Sequence, residues 1–464
     1  MMKKYLTLLS LGCVLMFLCG CKGKPQPSDD NPANHGPLAI METENGYYYN
    51  YGYTGYYLDE NNGATFTGKQ HLLRYFDKES GESILLCNKP ECEHDGDDSC
   101  VATYKNLNII NSVLYDGQIY VYGLEKDGNL IRFNLYRAAL DGSSMDLVGT
   151  AFEAENTIGN EITFAPSKTL ALSSQPDNAF IIHRGYAYLP YYLRIGTASM
   201  GFKGGGLIQM NLQTGKTKLL YELEYLNSCY PYNLKAYGDY IYMDMVGGTS
   251  SKGTMRYVIS QNVIEYTPAT AEDHYHYIYD AVTEEAIYIR SIGYNPDTGT
   301  FFSYEAIDVF DATTGDRLPE KQIVTGISKE EMNGFKSFLT YNDMLVIATA
   351  NRIAFYSLKE EDYGEKLGEM VPIEEPEKVS IYTSNPEYKI TNDTLFVIQK
   401  VPSFTSCGDY YDRKGAYHLY EVYKCPLDDI FSGSGTWEEV FTIGPVTEEA
   451  TYGPYFNINL FLSK

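Results

Sequence analysis

Seven segments of the sequence repeat one pattern, and this repeat constrains the fold more than any other feature. Each segment has an apolar run, a tight turn carrying Gly, Asp, Asn or Glu, and then an alternating run that is rich in Tyr or Ile. The turns fall at Gly46, Gly117, Gly185, Gly238, Glu284, Asp343 and Asp393. Alternation with a period of two residues on both sides of a turn predicts β-hairpins.

A third alternating run follows several of these hairpins and ends in a further turn, as in residues 72–81, 207–215 and 306–315. The turns recur every 46 to 71 residues, which is the length of a four-stranded unit. Units of this size, repeated around an axis, predict an all-β protein with a β-propeller fold. We expect seven blades; the uneven spacing, and a leftover alternating run at 455–463, also fit six or eight. The period-two pattern excludes helical repeats, and 45 tyrosines agree with a strand-rich chain.

The N-terminus predicts export and lipidation. Lys3 and Lys4 precede a short apolar run over 6–18, which ends in the sequence Leu18-Cys19-Gly20-Cys21. A positive flank, a short apolar core and small residues at a cleavage point are typical of a signal peptide. The last four residues resemble a lipobox, in which the cysteine receives a diacylglyceryl group. The prediction is a signal peptide over 1–20 and lipidation of Cys21; the alternative is an ordinary signal peptide that is cleaved nearby and leaves Cys21 unmodified.

The segment after Cys21 has the composition of a tether. Residues 21–37 contain four prolines among polar side chains and almost nothing to bury, so we expect a disordered spacer. The propeller domain is predicted over 38–464. The whole chain has a net charge of −25, which becomes −27 when Lys3 and Lys4 are removed. Because this field repels phosphate backbones, we expect no nucleic-acid partner. The expected partners are the membrane, through the lipid, and an unidentified ligand or protein outside the cytoplasm.

A cluster of metal-binding residue types is inserted at 87–100, after the first predicted blade. Cys87, Cys92, His94 and Cys100 lie within fourteen residues. Three thiolates and one imidazole suit tetrahedral zinc, and four protein ligands leave no open position, so the zinc would be structural. The alternatives are a disulfide, Cys87–Cys92 or Cys92–Cys100, an iron–sulfur cluster, or free thiols. The acidic run of Asp95, Asp97 and Asp98 offers a calcium site instead, although it lacks the full spacing of a calcium loop.

Three further cysteines follow in the mature chain. Cys407 and Cys425 flank one predicted strand and form a candidate disulfide, which leaves Cys229 alone or paired with a cysteine of the first cluster.

The lipobox, the polar spacer, the Tyr-rich blades and the Cys/His cluster together resemble uncharacterised bacterial lipoproteins with a TolB-like or DUF5050-like propeller. The resemblance covers essentially the whole chain. It implies a propeller fold and a location on the outer side of the cytoplasmic membrane, and it implies no particular reaction.

The sequence has no Gly-x-Ser-x-Gly, His-Glu-x-x-His or Walker motif. Two weaker patterns are His274 and His276 on one strand face, and seven tyrosines over 47–57 that suit sugar or peptide binding or simply a strand. The leading hypothesis is a surface-anchored binding module. The alternatives are an enzyme that acts on extracellular glycans or peptides and an envelope scaffold without a small ligand.

Overall fold

The structure is a computed structural model of the 464-residue chain. It describes residues 41–58, 64–94, 98–104, 107–127, 130–155, 180–194, 202–224, 229–247, 250–268, 281–283, 285–295, 300–374, 386–400 and 420–443. The predicted signal peptide, Cys21 and the tether therefore lie outside the described residues.

The described residues form seven antiparallel sheets of four strands each, and in every sheet the four strands follow each other in the sequence. The prediction of a seven-bladed propeller is confirmed. The strands of the first four blades are β1 (Met41–Glu42), β2 (Gly46–Leu58), β3 (Ala64–Asp77), β4 (Ser83–Leu85), β5 (Asn108–Tyr115), β6 (Gln118–Asp127), β7 (Leu130–Ala138), β8 (Met145–Glu155), β9 (Ile181–His183), β10 (Tyr186–Arg194), β11 (Phe202–Asn211), β12 (Thr217–Glu224), β13 (Cys229–Tyr237), β14 (Tyr240–Gly247), β15 (Ser250–Val258) and β16 (Val263–Pro268).

The last three blades have the same construction. Their strands are β17 (Ala281–Val282), β18 (Ala286–Asn295), β19 (Thr300–Asp311), β20 (Ile323–Val324), β21 (Phe335–Tyr341), β22 (Met344–Thr349), β23 (Ile353–Ser357), β24 (Lys366–Met370), β25 (Glu387–Thr391), β26 (Thr394–Lys400), β27 (Tyr420–Pro426) and β28 (Glu438–Ile443). Helix is limited, in the described part of the chain, to short elements such as α1 (Lys329–Asn333) and α2 (Leu427–Phe431). None of the described helices has the length and apolarity needed to cross a membrane.

In the described part of the chain the first hairpins lie where the sequence predicts them, and Glu284, the predicted turn residue of blade 5, lies outside the described residues. At several of these hairpins the backbone explains the residue types. Asp116 and Gly117 both have positive φ (47° and 69°), as do Asn392 and Asp393 (47° and 52°). Two consecutive positive φ values define the tight hairpin turn that matches strand twist and favours Gly, Asn and Asp. Arg184 adopts the same conformation with φ 50° before Gly185, although its residue type gives no signal of this.

The blades pack face to face around a common axis. The first strands of successive blades contact each other, as in β5 with β9 and β21 with β25, so these strands lie innermost. Between blades 2 and 3, for example, Phe133 and Leu135 of one blade pack with Ile182 and Leu189 of the next. Similar apolar cores join blades 1 and 2, 3 and 4, 4 and 5, 5 and 6, and 6 and 7. Burial of apolar area between neighbouring blades is thus the main force that holds the ring.

Blade 7 meets blade 1 through aromatic side chains. Phe441 stacks on Phe76 with ring centroids 4.8 Å apart and on Tyr49 at 5.2 Å, and Tyr47 meets Phe396 edge-on at 5.8 Å. Asn392 Nδ2 also donates to Glu42 across this joint, at 3.2 Å. The described part of the ring therefore closes by side-chain packing between two complete blades. The run at 455–463, which the sequence suggested as a closing strand, lies outside the described residues.

Candidate metal centre

The Cys/His cluster lies in the connection that leaves the outer strand of blade 1 and enters the inner strand of blade 2. This connection, residues 86–107, touches the edge of β3 at two points. Leu86 N–H donates to the Leu73 carbonyl at 2.9 Å, and Leu73 N–H donates to the Ala102 carbonyl at 3.0 Å. The chain around 101–102 therefore lies beside β3 where the three-residue β4 has already ended.

Three apolar side chains fix the ends of this connection. Leu86, Val101 and Leu107 are almost fully buried in the core shared by blades 1 and 2. Leu107 packs so closely on Gly123 that a Cβ at that glycine would lie 2.7 Å from Leu107 Cγ. Between Cys87 and Cys100 the sequence has no Val, Ile, Leu, Met, Phe, Tyr or Trp. The middle of the connection therefore has no large apolar side chain in its sequence with which to pack into the core.

The hairpin between β7 and β8 of blade 2 presses on the first ligand. Gly142 in this hairpin has φ +67°, and a Cβ there would lie 2.9 Å from the Cys87 nitrogen. Asn88 N–H donates to the Gly142 carbonyl at 3.4 Å. The cluster consequently sits where blade 1 and blade 2 meet, and only glycine permits this close approach.

The fold brings all four predicted ligands together. One sulfur or nitrogen atom from each of Cys87, Cys92, His94 and Cys100 lies within 4.8 Å of the other three. His94 Nδ1 is 3.2 Å from Cys100 Sγ. Zinc–sulfur bonds of about 2.3 Å would place sulfurs about 3.7 Å apart in a tetrahedron, so the donor set fits one ion. Among the described cysteines, no disulfide joins Cys87, Cys92 and Cys100.

Two local conformations turn the ligands inward. Cys92 N–H donates to the Lys89 carbonyl at 3.2 Å, which closes a turn containing Pro90. His94 has φ +54°, an uncommon conformation for a residue with a Cβ. Such backbone strain persists only where surrounding contacts determine it, and ligation of a metal is one such contact.

The four side chains differ in exposure and in their electrostatics. Cys100 is fully buried, whereas Cys87, Cys92 and His94 are half-buried. Burial raises the pKa of the Cys100 thiol to about 11, although hydrogen bonds from the Thr103 hydroxyl and backbone N–H favour its thiolate. The Thr103 hydroxyl is buried beside this sulfur. A bound cation would offset the burial of negative charge and hold Cys100 as a thiolate.

The other residues singled out in the sequence have separate outcomes. Cys21, His274, His276 and Cys407 lie outside the described residues, as do Asp95 and Asp97, so the predictions on them stay predictions. Cys229 belongs to β13, but its side chain is not described. Of the Tyr-rich segment, Tyr47, Tyr48 and Tyr49 are buried, which agrees with strand residues that pack in the core. The side chains of the other tyrosines of this segment, at 51–57, are not described.

A belt of polar side chains around the axis was not recognised in the sequence. The residue directly before each first hairpin is Thr43, Tyr115, His183, Tyr237, Thr283, Tyr341 or Thr391. Several of these residues bond the hairpin of the next blade. Tyr115 Oη accepts from Gly185 N–H at 3.1 Å, His183 Nε2 donates to the Gly238 carbonyl at 2.7 Å, and Tyr341 Oη accepts from Asp393 N–H at 3.1 Å. A hydroxyl or imidazole side chain recurs at this position of the repeat, and this recurrence could have revealed the belt from the sequence.

Fold and cluster together define a seven-bladed β-propeller protein with a Cys3His cluster that can bind a metal such as zinc. Solved structures similar to the described chain are propellers as well. An oligogalacturonate lyase in complex with manganese is 9% identical, with a TM-score of 0.39, and the match covers 78% of this chain and 93% of that one. A hypothetical selenium-binding protein from Sulfolobus tokodaii is 10% identical, with a TM-score of 0.38 and coverage of 90% and 95%. Hsv2 from Kluyvelomyces marxianus is 8% identical, with a TM-score of 0.34 and coverage of 86% and 99%.

These similarities concern the fold alone, because identities near 10% carry no information on activity. No protein-family model matches the sequence, and no curated protein matches it. The seven four-stranded blades agree with the propeller part of the resemblance to TolB-like lipoproteins, and the lipoprotein part of it stays a prediction.

Proposed function

We propose that this protein is a lipid-anchored binding module, displayed on the outer side of the cytoplasmic membrane and stabilised by structural zinc at the Cys3His cluster. The observation that carries the zinc assignment is the convergence of four soft or borderline ligand atoms within 4.8 Å of each other. The proposed location outside the cytoplasm rests on the order of lipobox, polar spacer and first propeller strand at Met41.

The tether and the blade topology favour display of the propeller above the membrane. β1 is an innermost strand, and it begins at the end of the propeller where the chain passes from blade to blade. The predicted spacer over 21–37 would, as a flexible chain, have a root-mean-square length of roughly 20–25 Å. The lipid on Cys21 would therefore hold the blade-connection end within reach of the bilayer. Two acyl chains give stable anchoring, whereas one gives only marginal binding.

A binding role is favoured by the same topology. The strand ends that flank the longest segments between strands, 86–107, 156–180 and 401–419, all lie at the blade-connection end. Rigid blades that carry long segments at one end are a common arrangement for recognition, because the scaffold positions variable loops. Four protein ligands at the zinc would leave no open coordination position, so the metal supports structure and not a reaction.

The anchor is tested by Cys21→Ser, with Cys13→Ser in the apolar run as the matched control. Because only the thiol of Cys21 can take the lipid, Cys21→Ser should release the protein from membranes or leave an uncleaved precursor. Cys13→Ser should remain in the membrane fraction. Mass spectrometry of membrane-derived wild-type protein that finds an unmodified Cys21 would contradict the anchor.

The binding role is tested by a glycan and peptide binding screen on the soluble domain that begins after the tether. Retention of one ligand class, without change to that ligand, supports the binding module. Cleavage of a bound glycan or peptide would replace it with the enzyme hypothesis. An absence of binding in every class, combined with loss of envelope integrity when the protein is deleted, would favour the scaffold.

Zinc is tested by elemental analysis of protein purified without reductant or chelator. We expect one zinc per chain, loss of the zinc in Cys92→Ser, and retention in Cys425→Ala, which removes a buried thiol outside the cluster. Less than half an equivalent of metal, with two of the cluster thiols unreactive to alkylation, would contradict zinc and favour the disulfide.

A further inference from the structure

The three sulfurs of the metal centre are not equivalent. Cys87 and Cys92 are half-buried, whereas Cys100 has no exposed surface. Cys100 directly precedes Val101, which is anchored in the core of blades 1 and 2. Cys87 and Cys92 belong to one short loop that is closed by the Cys92 N–H to Lys89 hydrogen bond. A diffusing reagent therefore meets two of the sulfurs before the third.

We propose that Cys87 and Cys92 form an oxidant-reactive site, at which a peroxide converts the zinc-bound thiolate pair into a disulfide and expels the metal. The proposal rests on the structural zinc proposed above. It makes the metal site and the disulfide two states of the same residues. It also gives the centre a chemistry of its own, with hydrogen peroxide or an alkyl hydroperoxide as the reagent class.

The reaction balances with the peroxide as the only oxidant. One thiolate sulfur attacks a peroxide oxygen, the O–O bond breaks, and a sulfenic acid forms as hydroxide leaves and takes up a proton. The second thiolate attacks the sulfenic sulfur, the S–S bond forms, and the sulfenic oxygen leaves as water after protonation. The two sulfurs together lose two electrons, and one hydrogen peroxide becomes two waters. Zinc leaves because Cys100 and His94 alone supply too few ligands.

The geometry favours the Cys87–Cys92 pair over either pair that includes Cys100. The cluster atoms already lie within 4.8 Å, so a disulfide of about 2.05 Å needs a movement of less than 3 Å. Joining Cys87 to Cys92 tightens a loop that contains no strand or helix. Joining either residue to Cys100 would pull on the chain at Val101 and on the Leu73 N–H to Ala102 bond beside β3. Thiolate reactivity also follows exposure, which favours the same pair.

Oxidation would loosen one joint of the ring. The disulfide keeps residues 87–92 together, while His94 and Cys100 lose their link to them. The chain between the loop and Val101 then loses its link to residues 87–92, while Leu86, Val101 and Leu107 stay in the core of blades 1 and 2. A thiol reductant and zinc would restore the original state.

The test begins with zinc-loaded protein of known metal content, to which hydrogen peroxide is added in steps. A chromogenic zinc chelator follows release, and peptide mapping under non-reducing conditions identifies the bond formed. We expect one zinc released for each peroxide consumed, a mass lower by two hydrogen atoms after zinc loss, and a Cys87–Cys92 cross-link with Cys100 still open to alkylation under denaturing conditions. Thiol reductant plus zinc should return the starting metal content.

Variants separate this pair from the others. Cys100→Ser should still form the Cys87–Cys92 cross-link under peroxide, Cys87→Ser should not form a cross-link in the cluster, and Cys425→Ala should behave as the wild type. Should a variant fail to fold, peptide mapping of the wild type decides alone. Zinc that stays bound under excess peroxide, or that leaves with sulfinic acids or a Cys100 cross-link, overturns the reactive pair and leaves the structural zinc intact. Protein that contains no zinc at the outset overturns both.

Discussion

Two connections between blades occupy equivalent positions in the ring and are held by different means. Residues 86–107 lead from blade 1 to blade 2, and residues 325–334 lead from blade 5 to blade 6. The second connection supplies its own packing, because Ile327 and Met332 are fully buried between the two blades. The first has apolar anchors only at its ends and a polar stretch with three cysteines and a histidine between them.

The polar contacts of the blade 5–6 connection are also complete without an ion. Ser328 caps α1, with Glu331 N–H donating to its hydroxyl at 3.2 Å and Ser328 N–H donating to the Glu331 carboxylate at 3.3 Å. Arg352 from the hairpin of blade 6 donates to the same carboxylate twice, at 2.9 and 3.0 Å. The capping box satisfies backbone N–H groups at the start of this short helix, and the ion pair satisfies the Glu331 carboxylate.

The comparison shows that the composition of a connection determines whether apolar packing or a cross-link holds it in place. Ordering each residue costs about 1–2 kcal/mol of backbone entropy, which buried side chains usually offset. Where large apolar residues are missing, as between Cys87 and Cys100, a cross-link must supply the free energy instead.

Removal of the proposed zinc should have the largest effect, and this effect should be confined to the first connection. If free zinc stands a thousandfold above its dissociation constant, chelation costs the folded state about 4 kcal/mol. We expect faster amide hydrogen exchange at 98–104 after chelation, and unchanged exchange at 325–334. Equal loss of protection in both connections would contradict a local role for the metal.

Met332→Ala tests the apolar anchoring of the second connection. Truncation of this fully buried side chain should lower the free energy of unfolding by about 3 kcal/mol, through lost burial and a cavity. Chemical denaturation measures the change, and Val324→Ala, at a side chain that is 70% exposed, is the control with little expected effect. Zinc content should stay at the wild-type value; a decrease would mean that the two connections are coupled.

Arg352→Gln tests the ion pair of the second connection, with a smaller effect. The substitution removes the two hydrogen bonds that Arg352 donates to Oε1 of the half-buried Glu331, and we expect a loss of about 1–2 kcal/mol in denaturation experiments. Lys366→Gln removes an exposed pair with Glu369 and should cost less than about 0.5 kcal/mol. If both variants lose the same free energy of unfolding, the Arg352–Glu331 pair stabilises the protein no more than an exposed ion pair does.

The pH dependence of the second connection should be the smallest effect. Burial acts to raise the pKa of Glu331, but hydrogen bonds from Arg352 and Ser328 and the charge of Arg352 outweigh it, and the net pKa is lowered. A lowered folded-state pKa stabilises the protein above the unfolded pKa of about 4.3, and this contribution is lost as the pH falls through the folded value. Denaturation at pH 7 and pH 3 should therefore differ less in Arg352→Gln than in the wild type. An equal pH dependence in both proteins would exclude Glu331 as a contributor.

The sequence predicted those features that depend only on residues close together in the chain. Several hairpins were predictable because positive φ favours Gly, Asn and Asp at the turn, as at Gly117 and Asp393. Arg184, which carries a positive φ without such a residue type, was found in the structure only. The four candidate metal ligands were predictable from residue type and spacing, since short loops between ligands make their approach inexpensive in entropy.

Contacts between distant residues were decided by tertiary structure alone. The aromatic joint of Phe441 with Tyr49 and Phe76 joins the two ends of the described ring, and nothing near these residues in the sequence indicates the pairing. The same holds for the approach of Gly142 to Cys87 and for the Thr103 groups beside Cys100. Local sequence determines turns, strand periodicity and the types of ligand, because these depend on backbone sterics and side-chain chemistry within a few residues. The packing of one blade on another determines which sulfur is buried and which joint the cluster holds, because burial depends on residues that are far apart in the chain.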